Sequence, residues 1–328
     1  MVISRTPLRV SLVGGGSDLP AFSTHHGGAA VSFAIDKYVY AIVSERFEPD
    51  IRVSYSETEI VSSVSELRHE LVREALRATG IPRGVEIVTI ADVPSRGTGL
   101  GSSSAVTIGV LNALFAYQGI LKLPAELAAE AARIEIDVLG KNIGRQDQYA
   151  CAFGGVQLLR FGPGTAVRRD PVVMPDNRRR DLENSLLMFY TGKQRGSDAV
   201  LDQIGVSAAA GDAAQAQLAR MRDLAIELYQ ELGADAPAER VGEYLHENWL
   251  LKRRLADGVS DEQIDGWYES ARAAGAIGGK LLGAGGGGFL LFYVPRERHD
   301  AVRSALRELR ELPIRIDHHG SRIISVGR

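Results

Sequence analysis

Eight residues, Gly97-Thr98-Gly99-Leu100-Gly101-Ser102-Ser103-Ser104, carry the densest chemical signal in the chain. Glycines at every second position let a backbone turn sharply and approach a ligand with no Cβ in the way. The serines add hydroxyl donors, and the apolar run behind them predicts a helix over residues 106–117. A helix start offers free N–H groups and the positive end of its dipole, which favour an anion. A triphosphate is the natural guest. A flexible turn with serine caps would read the same way. The common nucleotide motifs fit less well. Walker A requires a Ser or Thr after Gly-Lys, and Gly279-Lys280 is followed by Leu281. A Gly-x-Gly-x-x-Gly occurs at Gly283, Gly285 and Gly288, but it precedes the strand-like residues 289–294 instead of opening a helix.

A second candidate lies near the start, where Gly14-Gly15-Gly16-Ser17 lead into Asp18. An ionised carboxylate accepts hydrogen bonds from two neighbouring hydroxyls, as a sugar presents them. The glycines would let a ring come close. A helix cap is the alternative use of Asp18. The remaining reactive residues read as structural. Cys151 sits among small apolar residues as a packed thiol. His318 and His319 are neighbours on opposite faces of a short strand and form no metal motif. Arg178 to Arg180 reads as a solvated turn.

The elements that must hold these residues follow from periodicity. Strands are expected at residues 7–13, 31–33, 38–43, 51–55 and 85–90, with a helix over 66–79. A helix over 125–138 ends near Gly140, and a strand covers 156–161. Residues 162–183 are rich in Pro, Arg and Asp and read as a junction. Beyond it come a strand at 186–190, helices over 197–208, 212–232, 238–256 and 261–274, a strand at 289–294, a helix over 298–310, and strands near 314–317 and 322–326. The order lacks regular βαβ alternation, which favours two α+β lobes, residues 1–180 and 181–328.

Bulk properties agree with a globular enzyme: 328 residues, 45% hydrophobic, 24% charged. A formal net charge of −3 argues against nucleic-acid binding through a broad basic field. A single cysteine suits a reducing compartment, and no apolar run has the length of a membrane span. The expectation is a cytoplasmic protein whose partner is a small molecule. The helices between 197 and 274 could carry a homodimer surface.

Three segments together resemble the GHMP kinase family, named for galactokinase, homoserine kinase, mevalonate kinase and phosphomevalonate kinase. They are Arg5-Thr-Pro-Leu-Arg-Val-Ser-Leu-Val-Gly-Gly-Gly-Ser-Asp18, residues 94–105, and Lys280-Leu-Leu-Gly-Ala-Gly-Gly-Gly-Gly-Phe289. The resemblance implies a two-lobed α+β fold. The N-terminal lobe would be like ribosomal-protein-S5 domain 2 and the C-terminal lobe ferredoxin-like, with the active site between them. ATP would sit on Gly97, Gly99, Leu100, Gly101, Ser102, Ser103 and Ser104, with Mg²⁺ on Ser103 and Glu135. Asp147, in Gly144-Arg-Gln-Asp147, resembles the family's catalytic base, and Arg9 occupies its motif arginine. On the residues alone, Asp147 could cap a helix, Glu135 could be a solvated charge and Arg9 a surface ion pair.

Within the family, the first segment and residues 144–155 and 190–195 look most like D-glycero-D-manno-heptose 7-phosphate kinases. That implies phosphorylation of the anomeric hydroxyl to give a 1,7-bisphosphate, for nucleotide-activated heptose and surface polysaccharide. The implied sugar contacts are Gly15, Gly16, Ser17, Asp18, Gly285 and Gly286. Lys193 and Arg195 are the expected holders of the distal phosphate. Other readings are a kinase for a free sugar such as fucose and a non-catalytic ATP- and sugar-binding regulator. A dinucleotide oxidoreductase is disfavoured by the misplaced glycine motif.

Overall fold

The computed structural model describes residues 1–94, 97–163, 166–194, 198–234 and 236–327. The chain opens with β1, Val2–Val13, and a short helix α1, Pro20–His26, and then lays down β2, Gly28–Glu45. The strands expected at 31–33 and 38–43 are therefore one long strand. Polar Asp36-Lys37 imitates a turn in the sequence. In the structure β2 only changes partners there. Its first half pairs with β6, Val156–Phe161, and its second with β5, Val85–Ala91. The β1–β2 register shifts between Pro7 and Leu8 and again between Ser11 and Val13, so the ribbon bends as it twists.

Strands β3 (Ile51–Ser54) and β4 (Thr58–Val61) extend this sheet on one side. The strand Val167–Pro171, β7, pairs with β6 inside the stretch expected to be a junction. Helix α2, Glu70–Thr79, ends on Gly80 in the left-handed conformation. Helix α3, Ser102–Tyr117, is buried on nearly every face because it packs into the bend of β1 and β2.

The helix expected over 125–138 becomes α4, Pro124–Ala132, followed by a π-helical turn, Arg133–Val138. Helix α5, Gln146–Phe153, was not legible as a separate element. Helix α6, Asp176–Ser185, also fills part of the supposed junction, and Leu182 is its one buried apolar side chain. One anchor in ten residues leaves no period to read.

A second sheet has the order β11-β8-β10-β9, with β8 Leu186–Tyr190, β9 Gly278–Leu281, β10 Phe289–Tyr293 and β11 Arg310–Glu311. Helices α7 (Asp198–Ala210), α8 (Asp212–Gly233), α9 (Arg240–Lys252), α10 (Glu262–Ala273) and α11 (His299–Ala305) complete this half. Side chains alternate across a strand. Leu186 and Met188 accordingly join the core of the first sheet, and Leu187 and Phe189 a second core. In β10, Phe289, Leu291 and Tyr293 face the first core, and Leu290 and Phe292 the second. The strands are thus apolar at every position because both faces are covered. Finally β12, Arg322–Val326, returns to pair antiparallel with β1. The strand expected near 314–317 is reduced to one bridge, Ile35 to Ile316.

Candidate active site

Helix α3 begins on Gly101, a left-handed residue that leaves the helix's first N–H groups facing a cleft. Gly97, Gly99 and Gly101 all have φ near +70° (66°, 74° and 72°). At Gly99 the close approach is also steric. A Cβ there would lie 2.5 Å from the carbonyl oxygen of Leu282, and one on Gly288 would lie 2.4 Å from that of Thr98. The C-terminal glycine segment therefore packs backbone against backbone on the α3 loop. The two loops, more than 180 residues apart in sequence, make one surface.

The cleft they border has a volume of about 510 Å³. Arg9, from the centre of β1, reaches into it and grips Asp147, in the first turn of α5, with both arms of its fork. Nε donates to Oδ1 and Nη2 to Oδ2, each at 2.6 Å, while Nη1 donates to the carbonyl of Gly99 at 2.5 Å. Arg9 is buried, whereas the Asp147 carboxylate stays 30% exposed to the cleft. Burial alone would lower the Arg9 pKa, and Asp147 outweighs it and leaves it raised. An oxygen that accepts one guanidinium hydrogen still has a lone pair for another donor, so the pair can orient and deprotonate a hydroxyl.

Beside it, Asp18 accepts from the backbone N–H groups of Gly16 (2.9 Å) and Gln146 (3.2 Å). Burial and then the negative charge of Asp147 raise its pKa, against the pull of those backbone donors. Gly144 is what lets Asp18 fit, since a Cβ there would fall 1.8 Å from Oδ2. Two carboxylates and the helix start of α3 thus border one cleft, with Arg9 touching both Asp147 and the loop at Gly99.

Glu135, in the π-helical turn, is completely buried and has three uncharged partners. Ser103 and Gln148 each donate at 2.8 Å to one of its oxygens, and Ser104 at 2.8 Å as well. Burial raises its pKa, opposed by Gln148, Ser103 and Ser104. π-Helical turns of this kind often accompany functional groups.

The structure thus brings Arg9, Gly15, Gly16, Asp18, Gly97, Gly99, Gly101, Ser102, Ser103 and Asp147 to one cleft. Several expected residues go elsewhere. Ser17 is buried, its hydroxyl bonded to the carbonyls of Gly14 and Ala29, where it braces the turn. Leu100 points into the core, and Ser104 turns to Glu135. Gly285 and Gly286 pack on Val259 and do not line the cleft; Gly283 and Ala284 do. Lys193 does not reach the cleft either, because its ammonium pairs with Asp261 at 2.6 Å. Arg195 lies outside the described residues. In their place the cleft receives Lys252 and Lys280, and also Ser11, whose buried hydroxyl has no protein partner. Alternation along β1 puts Ser11 on the same face as Arg9, a signal that could have found it.

Comparison with known sequences matches the GHMP kinases N terminal domain over residues 66–155 and the GHMP kinases C terminal domain over 234–312, together more than half of the chain. The chain belongs to the GHMP kinase family. Its chemistry is phosphoryl transfer from ATP to an alcohol. A D-glycero-alpha-D-manno-heptose 7-phosphate kinase of Campylobacter jejuni is 26% identical over 93% of both chains. The bifunctional fucokinase/GDP-fucose pyrophosphorylase of Arabidopsis thaliana is 28% identical over 94% of this chain and 31% of its own length. Among solved structures, a D-glycero-D-manno-heptose 1-phosphate kinase from Bacteroides thetaiotaomicron superposes over 100% of both chains, with TM-score 0.79 and 25% identity. No helix among the described residues is long and apolar enough to cross a membrane.

For a GHMP kinase the fit of a divalent cation is a fair question. No cluster of three or more His, Cys, Asp or Glu suited to a metal occurs among the described residues. Magnesium does not need one, because it keeps waters and borrows phosphate oxygens. Adjacent oxygens of its octahedron stand about 2.8–3.0 Å apart, given bonds of about 2.0–2.1 Å. The exposed Ser103 hydroxyl and the Glu135 oxygen it meets are 2.8 Å apart. The Glu135 carboxylate also accepts hydrogen bonds only from neutral groups, and the one positive charge felt there among the described residues is that of Lys141, already paired with Glu70. The residues fit the ion.

Proposed function

We propose that this GHMP kinase transfers the γ-phosphoryl group of ATP to the anomeric hydroxyl of D-glycero-D-manno-heptose 7-phosphate, giving the 1,7-bisphosphate. The product would feed nucleotide-activated heptose and surface polysaccharide. The observation that carries the reading is the bidentate Arg9–Asp147 pair opening onto the same cleft as the α3 helix start. The likeness to the Campylobacter enzyme along nearly its full length supports this choice of acceptor.

In this reading Asp147 takes the proton of the attacking hydroxyl, and Arg9 holds the carboxylate in line and offsets charge at the attacking oxygen. Gly97, Gly99, Gly101 and Ser102 cradle the nucleotide phosphates with the first N–H groups of α3. Ser103 and Glu135 would hold Mg²⁺, which when bound neutralises charge on the transferred group. Asp18, Gly15 and Gly16 bind the sugar. Two lobes, residues 1–180 and 181–328, would close on it, with β12 crossing back to the first.

A free hexose such as fucose is the second reading, favoured by the likeness to the Arabidopsis fucokinase over 94% of the chain. ADP release measured with heptose 7-phosphate, mannose 6-phosphate, fucose, galactose and mevalonate decides between them. The highest kcat/KM should go to heptose 7-phosphate, and a preference for fucose reverses the assignment.

A further inference from the structure

The cleft contains positive charge that the roles above leave unused. Among the described residues four cationic side chains line it: Arg9, Lys141, Lys252 and Lys280. Arg9 is taken by Asp147, and Lys141 by Glu70 at 2.8 Å. Lys252, the last residue of α9, and Lys280, in β9, have no carboxylate partner. Lys252 Nζ donates to the carbonyl of Leu281 at 3.0 Å and to that of Gly283. Lys280 Nζ donates to the carbonyl of Leu12 at 3.1 Å. An ammonium has three hydrogens, so the two amines keep three between them for something else. Both are buried, at 5% and 2% exposure.

Two buried amines side by side are costly. Burial and then Arg9 bring the Lys252 pKa down to about 7. Burial, Lys252 and Arg9 push that of Lys280 well below the ordinary lysine value. Adjacent desolvated cations without acids are stable as cations only when a ligand brings the negative charge. Their anchors say where that ligand sits. Leu12 precedes the Gly14–Gly16 turn, which holds the sugar in the reading above, and Gly283 touches Gly99. The nucleotide phosphates already have the α3 helix start. Among the described residues, an acceptor that carries its own phosphate has, so far, no cation.

We propose that Lys252 and Lys280 form an anion subsite that receives a phosphate group carried by the acceptor, and so make the enzyme selective for phosphorylated sugars. The proposal rests on the phosphosugar reading above, and it sets two residues from regular elements where Lys193 was expected. A rival occupant, the phosphoryl group in transit, predicts a different outcome.

The test uses ADP release with D-glycero-D-manno-heptose 7-phosphate and with unphosphorylated heptose, for the native enzyme, Lys252→Met and Lys280→Met. Methionine keeps an unbranched chain and removes a costly buried charge, so both variants should keep their melting temperature. The ratio of KM for heptose to KM for heptose 7-phosphate should fall at least tenfold in each. An unchanged ratio, or an equal loss of kcat with both acceptors, overturns the subsite. If the native enzyme itself does not prefer the phosphorylated sugar, the substrate reading fails first and the subsite with it. Inorganic phosphate gives a check without variants. It should compete with heptose 7-phosphate and not with heptose, and failure to compete with the former counts against the proposal whether or not the variants fold.

Discussion

At the scale of single residues the two carboxylates given roles in the proposal stand in opposite settings. Asp147 is exposed to the cleft and clamped by Arg9, whereas Glu135 is enclosed and meets only neutral donors. Asp147→Asn should cost about 10²–10⁴ in kcat, the usual worth of a positioned base, with nucleotide affinity retained. Glu135→Gln should instead abolish the stabilisation by Mg²⁺ of the ADP complex, read as a thermal shift with and without the ion. Near-normal turnover in the first variant, or an unaltered Mg²⁺ shift in the second, would remove that residue from its role. Arg9, Asp147 and Ser103 were singled out through the family resemblance, because on the residues alone Asp147 could cap a helix and Arg9 join a surface ion pair, and the structure brings all three to one cleft. Lys252 was not. In the sequence it stands beside Arg253 and Arg254 at a helix end, the usual look of a solvated charge, and only the tertiary fold reveals that the first of the three turns inward.

Among elements, the decisive device is the contact between two glycine loops. Gly99 has φ +74°, and a Cβ there would strike the Leu282 carbonyl. Gly80 has φ +67° at the end of α2, with nothing within 4 Å of its Cβ position. Both Gly→Ala changes strain the backbone by about 1–3 kcal/mol. Only Gly99→Ala should also part the loops and weaken ATP binding, measured by calorimetry beside the melting temperature. Equal nucleotide affinity in the two variants would contradict this arrangement. The glycines announced the loop in sequence, although not what they touch. Helix α6 was lost because it is polar with one buried apolar side chain, and α5 because eight residues are too few to show a helical period. The long β2 was cut in two because Asp36-Lys37 has the composition of a turn, whereas the strand continues there by exchanging neighbours.

Over the whole molecule, the second sheet lies between two cores, so the halves of the protein share a continuous apolar interior. The buried lysines at their seam should set a pH dependence. An unfolded chain holds the Lys252 proton near the ordinary lysine value, and the folded one only near pH 7. The unfolded state therefore binds more protons between those values, and stability should rise with pH from 7 to 9, by at most about 2–3 kcal/mol for this one group. Lys280 and Arg9 are the cations beside it, and Lys280 adds in the same sense. Lys252→Met should reduce the slope in urea titrations run in phosphate-free buffer, and an identical slope would argue against a depressed lysine. The pairing of β12 with β1 bears on how the protein is made. The neighbour that covers the outer edge of β1 at Val2 to Arg5 is translated more than 300 residues after it. At about 5–20 residues per second, β1 shows a bare hydrogen-bonding edge for roughly 15–60 s. A nascent chain in that interval is the form most in need of a chaperone.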